Sequence, residues 1–220
     1  MKYRSVFEII GPVMIGPSSS HTAGAARIGL VARQLFGKAP EEADFHLYGS
    51  FAKTYQGHGT DVALLGGVLG FDTSDERIKD AYREAEKAGI RSRFIEEDEV
   101  SHHPNTVKVV LRSGDYEMSL AGISIGGGKV EIKELNGFEL RLSGNHPAIL
   151  VVHDDRFGVV AGVASILAAR QLNIGHMEVS RKEQGKDALM VIEVDQNVTA
   201  RTLGELKKVE HVRQVTKIHE

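Results

Sequence analysis

The sequence of 220 residues contains no cysteine. That absence excludes disulfide bonds, zinc ribbons, a thiol nucleophile and any iron–sulfur cluster held by this chain alone. Long apolar runs are also missing, because glycine or a charged residue interrupts each run before the roughly 18 residues that a membrane span requires. Neither sign of charge accumulates: 27 Lys and Arg are interspersed with 30 Asp and Glu, for a net charge of -3. We therefore expect a cytosolic protein that binds neither nucleic acid nor a membrane.

The composition is that of an ordinary globular protein, with 41% hydrophobic and 26% charged residues. The length suffices for one large domain or two modest ones. Two blocks of different character meet at the turn-rich stretch Leu142-Ser143-Gly144-Asn145-His146-Pro147. We predict a first domain over residues 1–144 and a second over residues 148–220.

The first block combines helix and strand patterns that predict an α/β domain with much antiparallel character. An apolar segment at residues 5–10 and a loop at 11–19 open the block. Apolar residues at helical spacing predict helices at 20–36 and 75–88, a further helix at 61–69 follows the turn at 57–60, and Gly37 is placed to end the first helix. The predicted strands lie at 44–48, 91–96, 105–112, 115–124, 129–135 and 138–142.

The second block has the order βαββαβ. The predicted strands lie at 149–153, 175–181, 188–195 and 212–219, and the helices at 158–171 and 199–209. Thr199 is placed to cap the second helix. Roughly 70 residues in this order predict a ferredoxin-like sandwich, a four-stranded sheet with two helices on one face. The predicted fold is therefore a two-domain protein of mixed α/β and α+β class.

A polar motif, Gly16-Pro17-Ser18-Ser19-Ser20-His21-Thr22, lies where a loop leads into the first helix. Backbone N–H groups at a helix N-terminus bind anions, and three serine hydroxyls can also donate to a carboxylate or phosphate. His21 can act as a donor, an acid or a base near neutral pH. In the simpler interpretation one serine caps the helix and the others are solvated. The motif holds more polar groups than a cap requires, so we favour a functional site.

A second motif, Gly57-His58-Gly59-Thr60-Asp61, places another histidine on a glycine-flanked turn directly before a helix. The glycines permit positive φ and the close approach of a ligand or a facing subunit. The alternative is a tight turn with an exposed histidine, and the spacing alone favours neither. Two such turns in one domain suggest a shared pocket.

Other polar motifs receive structural interpretations. Gly126-Gly127-Gly128, between two predicted strands, is typical of a bulge or a hairpin. The adjacent His102 and His103 would point to opposite faces of a strand and could not readily chelate one ion, so we assign no metal site to this chain. Surface or hydrogen-bonded positions are expected for His46, His146, His176, His211 and His219.

Five motifs together resemble the β chain of bacterial iron–sulfur-dependent L-serine dehydratases. They are Gly16–Thr22, Tyr48-Gly49-Ser50, Gly57–Asp61, His103-Pro104-Asn105-Thr106 and Ser124-Ile125-Gly126-Gly127-Gly128. The resemblance covers the whole chain and implies an N-terminal domain of the allosteric-substrate-binding type followed by an ACT domain. The Ser-Ser-Ser-His-Thr and Gly-His-Gly-Thr-Asp pair is the specific part, whereas the glycine triplet alone would not be.

The resemblance implies that L-serine is converted to pyruvate and ammonia. A [4Fe-4S] cluster with one iron not bound by cysteine would act as the Lewis acid, and a separate α chain would hold it. His21 and His58 would face the active site on that α chain. Ser18, Ser19, Ser20 and Thr22, with Gly57 and Thr60, would hold the substrate. Removal of the α-proton is open between His21, His58 and a residue of the α chain.

The ACT resemblance implies an amino-acid effector and association between copies of the chain. ACT domains of 3-phosphoglycerate dehydrogenases bind serine at the turn between the first strand and the first helix. The corresponding residues here are His153, Asp155, Gly158 and Asn173. Asp155 stands where asparagine is usual, and its charge would suit an ammonium group but repel a carboxylate.

Two further hypotheses belong to different classes. The chain could be a non-catalytic, amino-acid-sensing module of a serine-metabolism enzyme, although sensing alone needs no second Gly-His-Gly turn. It could also be a self-sufficient metalloenzyme that uses several of its ten histidines, which the sequence favours least.

Overall fold

A computed structural model describes residues 13–101, 103–144 and 146–218. The predicted apolar segment at 5–10 and the predicted strand end at His219 lie outside these ranges. The chain divides into two compact units, Met1–Asn136 and Gly137–Glu220. The predicted domain limits at residues 144 and 148 stay a prediction.

The first unit combines short helices with a mostly antiparallel sheet. Its helical segments are a π-helical turn Ser19–Ala23, α1 Gly24–Phe36, α2 Gly49–His58, α3 Thr60–Val68, a 3-10 helix Glu76–Asp80 and α4 Ala81–Lys87. Its strands are β1 Glu42–Tyr48, β2 Arg91–Glu97, β3 Asn105–Ser113, β4 Tyr116–Gly126 and β5 Lys129–Leu135. They are hydrogen-bonded in the order β2-β1-β3-β4-β5. Only the β1–β2 pair among these is parallel.

Helix α2 corrects the sequence analysis, which placed Gly57 and His58 in a turn. Both residues form the C-terminal end of α2. Gly59 ends the helix with a left-handed φ of 67°, and α3 begins at the next residue. The helix was missed because half of its ten residues are glycine, serine, threonine or tyrosine, which have low helix propensity, and only Phe51 and Ala52 are buried. Tertiary contacts therefore stabilise α2 more than its propensity does.

Helices α1 and α3 cross closely at glycine. A Cβ added to Gly67 would lie 2.1 Å from the carbonyl oxygen of Ala26, and one added to Gly29 would lie 2.3 Å from that of Leu64. Such distances are well inside van der Waals contact, so the crossing requires these glycines. This packing fixes the first half of α1 against the second half of α3. The largest fully buried side chains of this unit are Ile28, Phe45, Leu47, Phe51, Leu64, Leu65, Ile78, Leu111, Met118, Leu120 and Ile132.

The second unit contains the predicted ferredoxin-like arrangement. Its elements are β6 Phe138–Leu142, β7 Ala148–Asp154, α5 Val159–Ala169, β8 Ile174–Arg181, β9 Asp187–Val194, α6 Ala200–Leu206 and β10 Val212–Ile218. The order β10-β7-β9-β8 is that of a βαββαβ sandwich. Thr199 caps α6 by accepting the Thr202 N–H at 3.2 Å, as predicted. The predicted fold class is confirmed. None of the helices described is long and apolar enough to cross a membrane.

Candidate functional site

The serine–histidine wall, Ser18, Ser19, Ser20, His21 and His58, is built from two helical turns. Ser18 has extended backbone, and its hydroxyl caps the π-helical turn by accepting the His21 N–H at 3.1 Å. The carbonyl of Ser18 accepts the Thr22 N–H at 2.9 Å and the Ala23 N–H at 3.3 Å, so this turn is wider than an α-turn. The motif therefore caps a helix and also gathers side chains at its N-terminus. The three serines and His21 are half-buried.

His21 is hydrogen-bonded through both ring nitrogens. Its Nδ1 lies 3.0 Å from the Ser20 hydroxyl, and its Nε2 lies 3.0 Å from the hydroxyl of Ser50 in the first turn of α2. The Ser20 hydroxyl lies in turn 3.3 Å from that of Ser18. The His21 ring also packs edge-on against Phe51, with centroids 5.3 Å apart. These contacts hold the imidazole in one orientation.

His58 lies beside His21 but is exposed. The two ring centroids are 4.9 Å apart. The His58 Nδ1 lies 3.3 Å from the Thr54 carbonyl oxygen, and the buried Thr22 hydroxyl donates to the His58 carbonyl at 3.2 Å. A carbonyl oxygen only accepts, so Nδ1 carries the hydrogen and Nε2 of the neutral ring keeps its lone pair. His58 thus presents an acceptor nitrogen at the rim of the wall.

The electrostatics of the wall favour a neutral His21. Burial lowers the pKa of His21 below its usual 6.5, and the neighbouring His58 lowers it further. A proton on His21 would be poorly solvated and would repel a proton on His58. His21 is therefore uncharged at neutral pH. Its neutral ring donates a hydrogen bond from one nitrogen and accepts one at the other.

The other predicted substrate-binding residues lie at different depths. Gly57 is exposed and helical, with open space where a Cβ would be. Thr22 and Thr60 are buried, with 3% and 0% of their surface exposed. The hydroxyl of Thr22 holds the His58 backbone. A direct contact between Thr60 and a substrate would require that residue to become exposed.

Asp61, the last residue of the second motif, has a structural contact. It is buried, and its carboxylate accepts the Tyr82 hydroxyl at 2.8 Å. Burial and this hydrogen bond to Asp61 raise the pKa of Tyr82. This hydrogen bond links the first turn of α3 to α4. Asp61 therefore stabilises the segment that follows His58 in the chain.

Ser50 and Thr54 were absent from the predicted site residues. Both belong to α2, which the sequence analysis did not detect. Gly49 turns the chain with a φ of 55°, after which the Ser50 N–H donates to the Pro104 carbonyl at 2.6 Å. A signal for Ser50 existed in the motif Tyr48-Gly49-Ser50, but nothing in its spacing pointed to His21, 29 residues earlier.

The glycine triplet forms a hairpin, as expected. Gly127 and Gly128 connect β4 to β5, and Gly126, Gly127 and Gly128 all have positive φ. A register shift between Ser124 and Gly126 marks a bulge. Ser124 is completely buried, and a Cβ on Gly24 would lie 2.1 Å from its hydroxyl. The hairpin therefore follows directly on the part of β4 where Ser124 packs against Gly24 at the start of α1.

In the second unit, the predicted effector residues have partners within the unit. Asp155 accepts the Gly185 N–H at 2.8 Å and the Arg181 guanidinium at 3.1 Å, and both contacts lower its pKa. Asn173 donates to Asp195 at 2.6 Å. His153 is buried at the end of β7, with Nδ1 2.7 Å from the Asp154 carbonyl.

Gly158 begins α5 with a φ of 89°. The charge of Asp155 is already paired with Arg181, which weakens the expected repulsion of a carboxylate.

Comparisons with known proteins identify both parts of the chain. The profile of the serine dehydratase beta chain matches residues 5–135, and that of the ACT domain matches 148–211. The chain is 66% identical to a probable L-serine dehydratase, beta chain, of Bacillus subtilis over 99% of both sequences. It is 38% identical to the L-serine dehydratase, beta chain, of Peptoniphilus asaccharolyticus over 89% of both. It is 25% identical to a D-3-phosphoglycerate dehydrogenase of Synechocystis over 86% of this chain and 34% of the other.

Proposed function

The chain belongs to the serine dehydratase β-chain family, and on that premise we propose that it is the β subunit of an L-serine dehydratase. Together with a separate α chain, it would convert L-serine to pyruvate and ammonia. The similarity to two β chains over most of their lengths supports this proposal. The structural observation that carries it is the pairing of His21 and His58 beside the hydroxyls of Ser18 and Ser20.

The reaction removes water from serine and then exchanges nitrogen for oxygen. Loss of the α-proton and of the β-hydroxyl forms aminoacrylate, which tautomerises to an imine. Addition of water to the imine releases ammonia and leaves pyruvate. The wall offers hydroxyls and imidazoles but no thiolate, and this donor set does not fit ligation of a [4Fe-4S] cluster. In our proposal the α chain holds the cluster.

Ser18, Ser19 and Ser20 are the groups on this chain that would bind the substrate carboxylate. They lie at the N-terminus of a helical segment, where backbone N–H groups carry partial positive charge. Their hydroxyls add donors at the same place. With His21 neutral, the wall favours an anion through hydrogen bonds and the helix terminus and not through a formal positive charge.

His58 is the residue of this chain best arranged to accept the α-proton. Its Nδ1 faces a carbonyl, its Nε2 keeps a lone pair, and its ring is exposed. His21, by contrast, already uses both nitrogens in hydrogen bonds to serines. We assign proton transfer to His58 and support of its electrostatic environment to His21.

Reconstitution tests this assignment. The chain mixed with its α chain should form pyruvate from serine, and neither chain alone should do so. His58→Gln should lower kcat by about 10² to 10⁴, the usual contribution of a general base. His176→Gln, on an exposed part of β8, is the matched control and should keep full kcat. A His58→Gln complex with unchanged kcat would show that another group takes the proton.

A sensing role in the second unit is the other candidate, supported by the ACT profile and the similarity to D-3-phosphoglycerate dehydrogenases. Here an amino acid would bind near His153, Asp155, Gly158 and Asn173, and copies of the chain would associate through their ACT domains. Calorimetry of serine binding to the isolated chain, compared with its Asp155→Asn variant, tests the effector site. Full turnover by the α chain alone would make this the chain's main role.

A further inference from the structure

We propose that Ser50 is a positioning residue of the wall: its hydroxyl donates to Nε2 of His21 and so keeps the His21 proton on Nδ1. The kinetic part of this proposal rests on the proposed function, whereas the hydrogen-bonding part rests only on a carboxylate bound at Ser18. Ser50 lies 3.0 Å from His21 Nε2, and neither its helix nor its role was evident from the sequence.

The backbone fixes Ser50 in place independently of its hydroxyl. Its N–H donates to the Pro104 carbonyl at 2.6 Å, and its carbonyl accepts the Thr54 hydroxyl at 2.7 Å. A Cβ on the preceding Gly49 would lie 2.8 Å from the Pro104 oxygen, so the chain is held closely against that loop. Removing only the Ser50 hydroxyl therefore leaves both backbone contacts intact.

Four side chains form one hydrogen-bonded row: Ser50, His21, Ser20 and Ser18, with separations of 3.0, 3.0 and 3.3 Å. Each hydroxyl has a single hydrogen, and the neutral imidazole has one N–H and one lone pair. Three arrangements satisfy every contact of the row, because a hydroxyl oxygen can accept two hydrogen bonds. If Ser50 donates to Nε2, then Nδ1–H donates to Ser20, and the Ser18 hydrogen is free for a ligand only when Ser20 donates to Ser18. In the reverse direction the Ser18 hydrogen is consumed within the row.

A carboxylate at the π-helical turn selects the first direction. A carboxylate only accepts hydrogen bonds, so it needs the Ser18 hydrogen to point outward. Ser20 then donates to Ser18, Nδ1–H of His21 donates to Ser20, and Ser50 donates to Nε2 of His21. Without the Ser50 hydroxyl, Nε2 loses its donor and the His21 proton is free to move to that nitrogen. Ser50 thus links the carboxylate site to the hydrogen-bonding state of His21, whose ring lies beside His58.

Nitrogen NMR of the full chain with ¹⁵N-labelled histidine tests the hydrogen-bonding part. In the wild-type chain with serine or acetate as the added carboxylate, His21 should carry its proton on Nδ1. Ser50→Ala should shift the tautomer population toward Nε2, because that nitrogen loses its donor, and Ser50→Thr, which retains a hydroxyl, should return it toward Nδ1. Ser165→Ala, on the exposed side of α5, should leave the His21 signals unchanged. Unchanged His21 signals in Ser50→Ala would overturn the proposal.

Kinetics of the reconstituted complex test the consequence. Ser50→Ala should lower kcat on the order of tenfold, as supporting residues around a reactive group commonly do, with recovery in Ser50→Thr. A loss of activity in Ser50→Ala without any change in the His21 tautomer would indicate a merely structural role and count against us. If the wild-type complex formed no pyruvate while the NMR changes appeared, the proposed function would fail and the assignment of Ser50 would stand.

Discussion

His21 and His58 are neighbours with opposite surroundings, and this contrast separates their roles. His21 is half-buried with both nitrogens hydrogen-bonded, whereas His58 is exposed with one nitrogen directed to a carbonyl. The sequence pointed to both histidines through their glycine- and serine-rich settings. It did not distinguish them, because the partners of His21 include Ser50, 29 residues away along the chain, and those of His58 include Thr22, 36 residues away.

The first prediction concerns the His21 pKa. Because burial is the larger cause of its lowering and His58 the smaller, His58→Gln should raise the His21 pKa without bringing it to 6.5. The measurement is the pH titration of the His21 ring proton by NMR in the isolated chain. His176→Gln serves as the control and should have no effect. A His21 pKa above 6.5 in the wild-type chain would contradict the burial argument.

The second prediction concerns Gly57. The fold of the isolated chain does not require glycine at this position, because the space for a Cβ is open. Gly57 is helical and its Cβ position is open, so Gly57→Ala should stabilise the chain by up to about 1 kcal/mol. If the α chain packs against this end of α2, the added methyl should cost about 1–3 kcal/mol of association. Denaturant unfolding and binding to the α chain measure the two effects.

Gly204→Ala is the matched control for Gly57→Ala, since Gly204 is also helical with open Cβ space. It should stabilise the chain by a similar amount and leave association unchanged. Equal association of wild-type and Gly57→Ala chains would place the interface elsewhere.

At the scale of elements, the helices rich in buried apolar residues were predicted from the sequence, whereas α2, with only two buried residues, was missed. The helical stretch made of the π-helical turn and α1 was predicted at 20–36, because its buried positions recur at helical spacing and Gly37 ends it in the left-handed region. Helix α2 lacks that period and forms because Gly49 and Pro104 anchor its start. The wall depends on α2, so the part of the fold that the sequence did not show is the part that completes the site.

The third prediction concerns the crossing of α1 and α3. Gly67→Ala would place a methyl 2.1 Å from the Ala26 carbonyl oxygen, a backbone atom that cannot move alone. We expect a loss of about 1–3 kcal/mol or more in unfolding free energy. Denaturant unfolding measures it, with Gly204→Ala as the control substitution. A Gly67→Ala chain as stable as the wild type would show that the two helices can separate without penalty.

The fourth prediction concerns Asp44 on β1, a buried carboxylate that bridges three strands. It accepts Arg93 of β2 through two hydrogen bonds of 2.7 and 2.6 Å and Arg112 of β3 through one of 2.6 Å. These contacts, with Arg93 the larger, lower the Asp44 pKa below 3.8. Asp44→Asn should therefore lower the unfolding free energy near neutral pH by about 1–3 kcal/mol.

The pH dependence of this difference has a definite sign. A carboxyl group whose pKa is lower in the folded state stabilises the fold above its unfolded pKa, and this stabilisation is lost as the pH falls through the folded value. The gap between wild type and Asp44→Asn should accordingly be constant above pH 3.8 and narrow below it. Denaturant unfolding over a pH series measures this, with the exposed Asp98→Asn as control. A gap that widened on acidification would refute the ion-pair explanation.

At the scale of the whole molecule, the chain is two units with different tasks in our proposal. The first unit carries the wall, and the second carries the ACT fold. The order of elements in the second unit was predictable because its central strands β7 and β9 are almost continuously apolar and turn residues separate them from the helices. Strand β6 was predicted at 138–142, where the structure has it, whereas its assignment to the first domain stays a prediction.

The fifth prediction tests the limit between the units. The N–H of Arg141 donates to the Glu178 carboxylate on β8 at 2.9 Å, and that of Ser143 donates to Glu193 on β9 at 2.8 Å. The Lys182 ammonium also lies 4.6 Å from the Phe138 ring centre. Hydrogen bonds to a charged acceptor stabilise a fold by about 1.5–3 kcal/mol each. A fragment of residues 137–220 should therefore unfold at a higher temperature than one of residues 148–220.

Glu178→Gln in the longer fragment is the control that separates these contacts from chain length. Glutamine retains an acceptor oxygen but loses the charge, so it should lower the melting temperature only part of the way toward that of the shorter fragment. If β6 contributed nothing, the two fragments would melt together and Glu178→Gln would have no effect. The functional border would then lie at residue 148, where the ACT profile begins, and β6 would belong with the wall and not with the effector domain.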